Sequence, residues 1–306
     1  MSKVIRIGTR DSELALWQAN TVQNKLHDLG YETELVPVKS TGDLILDKPL
    51  YELGITGVFT KTLDVAMVNG QVDIAVHSMK DVPTQLPKGI VEAAVLERAP
   101  VQDILVHKEY NPSQEPAIIA TGSLRRQAQW LHKYPNHKTV DIRGNVNTRL
   151  QKLAESSWQG AIFAAAGLQR IGLTPSESIQ LDWMIPAPAQ GAMLVVAMEN
   201  DIFSKEALAK LNHKPTEICV HLEREFLRKL EGGCTAPIGA IATIENNQIH
   251  FEGALFSLDG KQKISVSKTC SLDKAQGIGV TCAEELLADG GKALMEEIKQ
   301  QLNKPK

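Results

Sequence analysis

The chain has 306 residues, 43% of them hydrophobic and 23% charged, a globular composition that excludes a disordered or fibrous protein and a single small module. Lysine and arginine total 33 against 36 acids, so a net charge of -3 argues against a polyanionic partner for the molecule as a whole. Four cysteines are too few for a disulfide scaffold in a chain this long, which fits a reducing compartment.

The N-terminal run Met1-Ser2-Lys3-Val4-Ile5-Arg6-Ile7-Gly8 alternates apolar and polar residues without the apolar centre of a secretory signal, so we expect a cytoplasmic protein. Strands are predicted near 3–8, 32–38, 73–77, 90–97, 103–107, 117–121, 138–142, 160–165 and 193–198. Helices are predicted near 12–28, 59–69, 124–133, 145–155 and 204–212, and the alternation is the signature of α/β units around mainly parallel sheets. The first helix opens at Asp11-Ser12, where a side-chain oxygen can cap backbone N–H groups. Residues 39–58 hold Gly42, Pro49, Gly54 and Gly57 without sustained periodicity, the pattern of a long functional loop, and we expect a lid there. The longest apolar stretch, 183–198, is 16 residues long and contains Pro186 and Pro188. That is short of the ~20 residues of a membrane helix. Past residue 214 the pattern changes to a helix over 216–231 ending at Gly232-Gly233, strands near 238–244, 248–256 and 262–269, and a helical tail over 279–302. This reads as a separate α+β domain.

Charge is uneven along the chain. Residues 121–170 carry eight bases (Arg125, Arg126, Lys133, Lys138, Arg143, Arg149, Lys152, Arg170) against Asp141 and Glu155, a local +6 that leaves -9 elsewhere. Five of the ten arginines fall in this window, and arginine's planar fork of donors suits carboxylate or phosphate. A solvated basic face is the plain alternative. Placement favours a site: Arg125 and Arg126 follow Thr121-Gly122-Ser123, and Arg143 precedes Gly144-Asn145, both at strand-to-helix turns where free N–H groups face anions. A second constellation, His77-Ser78-Met79-Lys80-Asp81-Val82-Pro83, leaves the end of a strand with an acid and several donors together. Asp81 there reads either as the cap of an Asp-Val-Pro turn or as a catalytic carboxylate. A third is Cys234, which follows two glycines in a loop where a thiol can be exposed and nucleophilic, whereas Cys219 falls in the apolar stripe Cys219, Leu222, Phe226, Leu230 and reads as core. Cys270 and Cys282 have no motif around them. There is no G-x-G-x-x-G after a strand, no phosphate-binding G-x-x-x-x-G-K-[ST] loop, no G-x-S-x-G and no C-x-x-C, and the histidine spacings suit no metal.

Taken together and in order, these constellations resemble the porphobilinogen deaminase (hydroxymethylbilane synthase) family nearly from end to end. The carriers are Gly8-Thr9-Arg10-Asp11-Ser12, Thr41-Gly42-Asp43, Asp73-Ile74-Ala75-Val76-His77-Ser78-Met79-Lys80-Asp81-Val82-Pro83 and Gly122-Ser123-Leu124-Arg125-Arg126. Arg143-Gly144-Asn145-Val146-Asn147-Thr148-Arg149, Ala166-Gly167-Leu168-Gln169-Arg170, Gln190-Gly191-Ala192 and Leu230-Glu231-Gly232-Gly233-Cys234 complete the set. The resemblance implies two lobes of the type II periplasmic-binding-protein kind, one from 1–97 with 192–211 and an arginine-rich one from 98–191, plus a C-terminal cofactor-anchoring domain over 212–306. It also implies an enzyme that condenses four porphobilinogens head to tail, releases ammonia, and hydrolyses off hydroxymethylbilane in tetrapyrrole and haem synthesis. Cys234 would carry a self-assembled dipyrromethane cofactor through a thioether. Arg10, Ser12, Ser78, Lys80, Thr121, Ser123, Arg125, Arg126, Arg143, Asn145, Arg149, Arg170 and Gln190 would surround its carboxylates, with Asp43 and Phe59 toward the lid. Asp81 matches the catalytic carboxylate that assists loss of ammonia and stabilises developing positive charge.

This chain departs from the family at Thr56 and Glu52, where basic residues are usual, at Thr62, where glutamate is common, and at Ala189, where a glycine usually precedes Gln190. The expected partner is the small molecule porphobilinogen, with no metal, nucleic acid or membrane, and the expected state is a monomer. The competing readings are a non-catalytic two-lobed anion receptor, which has no need for Cys234, and a nucleic-acid binder. The latter lacks aromatics among its arginines to stack bases.

Overall fold

The computed structural model describes residues 3–39, 60–108, 116–231 and 236–303. Its strands in chain order are β1 (Ile5–Thr9), β2 (Thr33–Pro37), β3 (Ile74–Ser78), β4 (Ile90–Val95), β5 (Asp103–His107), β6 (Ile118–Ala120) and β7 (Lys138–Val140). These are followed by β8 (Gly160–Ala164), β9 (Ser178–Gln180), β10 (Met193–Met198), β11 (Ile238–Glu245), β12 (Gln248–Phe256) and β13 (Lys263–Ser271).

They form three sheets. The first has the order β2-β1-β3-β10-β4 and the second β7-β6-β8-β5-β9, and the two share one topology. In each, a central strand is parallel to both neighbours (β1 to β2 and β3; β6 to β7 and β8), and one strand runs against the rest (β10 between β3 and β4; β5 between β8 and β9). β5 is the first strand after the chain leaves the first sheet and β10 the first after it returns, so the backbone crosses between lobes twice, near 96–102 and 186–192. Those crossings lie side by side, with Ala99 N–H donating to the Gly191 carbonyl. This is the architecture of paired type II periplasmic-binding-protein-like lobes.

Alternation along the strands makes both lobes three-layered. Ile5, Ile7, Ile74 and Val76 pack with Ala19, Val22 and Leu26, the apolar stripe of helix Glu13–Asp28. On the other face Ala75 packs with Leu63, Ala66 and Met67 of helix Lys61–Val68. In the second lobe Ile104, Val106 and Phe163 face Leu153 and Leu168, while Leu105, Ile119 and Ile162 face Trp130. The third sheet, the antiparallel meander β11-β12-β13, buries one face against helices Lys214–Lys229 and Ile278–Leu286 around Phe226 and Phe251. Cys219 is buried in that core, as its stripe predicts.

Local differences from the sequence reading have local causes. The tail expected as one helix over 279–302 breaks between Ile278–Leu286 and Lys292–Asn303, because Gly290 sits at φ 94 in Asp289-Gly290-Gly291. Helix Ala165–Arg170 and strand β9 are too short to show a period and were not expected. Ser12 is the N-cap residue of the first helix, but its side chain makes no cap hydrogen bond. Among the described residues, no helix is long and apolar enough to cross a membrane.

Candidate active site

Sheet topology brings the chemical residues to one place. The parallel pair β6 and β7 points its carboxyl ends the same way, so the turns at 121–123 and 141–145 open on one edge. Because β5 runs against β8, with Asp103 opposite Ala164, the start of β5 lies on that edge too. In the first lobe the ends of β1 and β3 deliver Arg10 and Ser78, and Met193, at the start of β10, pairs with Ser78. Ligands of open α/β sheets bind at such carboxyl edges.

The arginine turns are built tightly. A Cβ at Gly122 would lie 2.7 Å from the Ile142 carbonyl, so only glycine lets the two turns touch. Ser123 caps helix Leu124–Lys133 by accepting from Arg126 N–H, and its own N–H donates to the buried Thr121 hydroxyl at 3.3 Å. Asn145 Oδ1 accepts from Thr148 N–H at 2.9 Å to cap helix Val146–Glu155, which leaves the Asn145 amide N–H groups as its donors for a ligand.

The sequence reading treated Arg125 and Arg126 as open anion donors. The structure buries both against Asp103, a fully buried carboxylate that reading passed over. Arg125 Nη1 lies 2.7 Å from Asp103 Oδ2, and Arg126 reaches Oδ1 with Nη2 at 2.8 Å and Nε at 3.0 Å. The arginines spend further donors on the carbonyls of Ile185 and Ile162. Gln190 Nε2 donates to the same Oδ1 at 2.9 Å and to the Val101 carbonyl at 2.7 Å, while its Oε1 lies 3.4 Å from Lys80 Nζ. A continuous path Lys80, Gln190, Asp103, Arg125 and Arg126 therefore joins the lobes. Burial alone would raise the Asp103 pKa, but the two guanidiniums outweigh it and hold the group well below the ordinary carboxylate range.

Asp81 ends the 3-10 turn Met79–Asp81 and is half-buried, with Lys80, Arg126 and Arg149 all within electrostatic reach. Burial, with Arg126 adding repulsion, pulls the Lys80 ammonium down to about 8. Burial and then the charges of Arg126 and Arg143 pull Arg149 down to about 10, although its Nε holds the Gly144 carbonyl at 2.8 Å. Arg143 is 5% exposed, and its Nε and Nη1 have no hydrogen-bond partner among the described residues. Arg170 donates to the Gly191 carbonyl at 2.7 Å and lies 5.6 Å from the Trp17 ring centroid across the cleft. Ser78 Oγ accepts from Gln18 at 2.8 Å. Behind it, burial and the nearby Arg10 charge hold the His77 imidazole at about 4, hence neutral.

Of the expected site residues, Lys80, Asp81, Arg125, Arg126, Arg143, Arg149 and Gln190 are brought together by contacts and mutual charge. Thr121, Ser123 and Asn145 lie in the two arginine turns, Arg170 on the Gly191 carbonyl, Arg10 and Ser78 at the ends of β1 and β3, and Ser12 at the start of the first helix. Asp43, Phe59 and Cys234 lie outside the described residues, as do Glu52 and Thr56 and all but the first residue of the expected lid. Two models of the porphobilinogen deaminase family match the chain: its dipyromethane cofactor binding domain over residues 5–206 and its C-terminal domain over 217–288. The chain belongs to the porphobilinogen deaminase family. It is 43% identical to the porphobilinogen deaminase of Desulfitobacterium hafniense over 307 residues, 98% of this chain and 99% of that one. It is 42% identical to that of Trichlorobacter lovleyi and 41% identical to that of Pelobacter propionicus, each over 97% of both chains. Among solved structures it is similar to the methionine binding protein MetQ, with a TM-score of 0.45 and 16% identity over 68% of this chain and 89% of that one.

Several residues that build this deaminase-family cleft carried no sequence signal beyond their type. Asp103 opens the apolar strand Asp103-Ile104-Leu105-Val106, and a lone acid there was the one available hint. Arg98 spans the crossings: its fork reaches both oxygens of the fully buried Glu223 at 2.6 and 2.9 Å, and its Nε donates to the Gln190 carbonyl. Ala189, where the family usually carries glycine, sits at φ 62, and the N–H of this buried residue donates to Glu223 at 2.7 Å. The left-handed backbone explains why glycine is usual at that position.

Proposed function

We propose that this chain is a porphobilinogen deaminase that converts four porphobilinogens into hydroxymethylbilane with release of four ammonias, as a cytoplasmic monomer. In this reading residues 1–97 and 192–211 form lobe one, 98–191 the arginine-rich lobe, and 212–306 the domain that anchors a dipyrromethane through a thioether to Cys234.

The observation that carries the reading is an excess of buried positive charge. Lys80, Arg125, Arg126, Arg143 and Arg149 share Asp81, Asp103 and Asp141 as near counter-charges, a net of +2 at the mouth of the cleft. Burial holds Arg126, Arg143 and Arg149 below their ordinary range, with repulsion from Arg125 adding to it at Arg126 and from Arg126 and Arg143 at Arg149, and a bound polyanion would relieve that cost. Every pyrrole unit brings an acetate and a propionate, and the Arg143 donors left without a partner among the described residues fit such a carboxylate. When bound, the dipyrromethane supplies the pyrrole to which substrate is joined.

Arg143, Arg149, Arg170, Arg10 and Lys80 hold carboxylates, with Thr121, Ser123, Asn145 and Ser12 adding neutral donors at the rims. Arg125 and Arg126 share their charge between ligand and Asp103. Asp81, half-buried and flanked by cations, accepts N–H hydrogen bonds and offsets positive charge that develops as ammonia leaves. Gln190 holds Lys80 and Asp103 in register across the lobes.

Intact-protein mass after acid denaturation, on wild type and Cys234→Ser, tests the reading. The expected result is a wild-type adduct of two deaminated porphobilinogen units that the variant lacks. A wild type that stays unmodified after incubation with porphobilinogen overturns it in favour of an anion receptor.

A further inference from the structure

Helix Lys214–Lys229 belongs to the core of the third sheet, yet several of its residues reach out of it, among them the consecutive Glu223 and Arg224. Glu223 meets Arg98, as described. Arg224, 7% exposed, crosses to the first lobe and grips the turn that bears Lys80 and Asp81 from behind. Its Nη1 donates to the carbonyls of Val82 at 3.0 Å and Met79 at 3.3 Å, and its Nη2 donates to the Pro83 carbonyl at 2.7 Å. Glu92 on β4 balances the guanidinium at 3.8 Å, and its other oxygen pairs with His221 Nε2 at 2.7 Å.

The local sequence explains why the turn needs such a clasp. After β3 the chain leaves the sheet through Met79–Asp81, Val82 is extended, and Pro83 has no N–H to offer a ladder. Val82 N–H closes the turn on the Met79 carbonyl, an oxygen that Arg224 also reaches, and Met79 N–H is spent on Ala192. The Val82 and Pro83 carbonyls face a domain boundary rather than a strand, and a buried carbonyl must find a donor. A planar fork can satisfy all three acceptors at once, which a lysine ammonium cannot do in the same geometry.

We infer that Arg224 is a positioning residue for Asp81: by holding the carbonyls on both sides of the turn, it fixes the backbone from which the carboxylate projects. This rests on the reading of Asp81 as the reacting carboxylate. Arg224 reaches no substrate, so its loss should change the rate of the reaction more than substrate binding.

The test uses full-length Arg224→Met and Arg224→Lys, with Asp81→Ala, Asp81→Glu and the Arg224→Met/Asp81→Glu double variant. Measured are kcat and KM for porphobilinogen, the mass adduct at Cys234, and hydrogen exchange of the peptide spanning 79–84. For Arg224→Met, kcat should fall about 10- to 100-fold, the scale set by misplacing a reacting group by about an ångström. KM should change by less than about threefold, and exchange in 79–84 should rise. In Asp81→Glu the carboxylate is already displaced by a methylene, so adding Arg224→Met should cost much less than it does in wild type. Losses that multiply fully, a KM effect with kcat retained, or unchanged exchange in 79–84 would overturn the inference. If Arg224→Met does not fold, Arg224→Lys carries the same comparison, and a wild-type kcat there would also overturn it. Full activity in Asp81→Ala sinks the underlying reading instead, whereas an inactive Asp81→Ala beside a fully active Arg224→Met sinks only this inference.

Discussion

Asp103→Asn separates the roles of the arginines most sharply. The carboxylate is fully buried and meets Arg125, Arg126 and Gln190, so the isosteric amide removes one buried negative charge and leaves two buried guanidiniums on a neutral partner. Removing one side of a buried ion pair costs about 3–5 kcal/mol. In a chain of this size each kcal/mol moves Tm by about 2–4 °C, so the variant should melt roughly 6–20 °C lower. A second signature lies in pH. The arginines hold the folded Asp103 pKa below its unfolded value, so its contribution is fully present above about pH 4 and is lost as pH falls toward the folded value. Melts followed by circular dichroism across pH should show a gap between wild type and variant that is constant near neutrality and narrows below about pH 4. A Tm within about 2 °C of wild type near neutrality, or a gap that persists unchanged into strong acid, refutes the argument.

Arg143 and Arg126 should part company. With Nε and Nη1 unpartnered among the described residues, Arg143→Leu should impair cofactor loading or raise KM without lowering Tm, whereas Arg126→Leu should lower Tm by about 5 °C or more. Equal Tm losses would mean that both are structural. Lys80 is protonated below about 8 and neutral above it, so KM for the carboxylate-bearing substrate should climb through that pH, and Lys80→Met should lack the climb. A pH profile that the substitution leaves unchanged assigns the effect elsewhere. Glu223→Gln strips the charge from the Arg98 fork while also weakening acceptance from Ala189 and Ala242, so denaturant titration should find a loss of about 3–5 kcal/mol. A loss below about 1 kcal/mol would mean that the crossing does not depend on this pair.

Much of the architecture is legible without coordinates, because it follows from local periods. Ile5 and Ile7 alternate into a core, and Ala19, Val22 and Leu26 form a helical stripe. The changed pattern past residue 214 marks the separate α+β domain, and the two arginine-bearing turns are recognisable from Thr121-Gly122-Ser123 and Arg143-Gly144-Asn145 before helices. Lys80 and Asp81 after a strand and the arginines at helix starts were marked by type and order, whereas Gln190 was named only through the resemblance to the family.

Which charge meets which belongs to tertiary structure alone. Asp103 is 22 residues from Arg125, and Glu223 is 125 residues from Arg98 and about as far from the turn that its neighbour Arg224 clasps. Beyond the position of Asp103 at the head of an apolar strand, nothing local distinguishes those acids and that base from the many others in the chain. The choice is made when the chain crosses between the lobes, before β5 and again before β10, and the crossings come beside helix Lys214–Lys229. Hydrophobic period is a property of neighbours along the chain, which the sequence by itself determines. The partner of a buried charge is set by desolvation, which exists only once the lobes have closed around it.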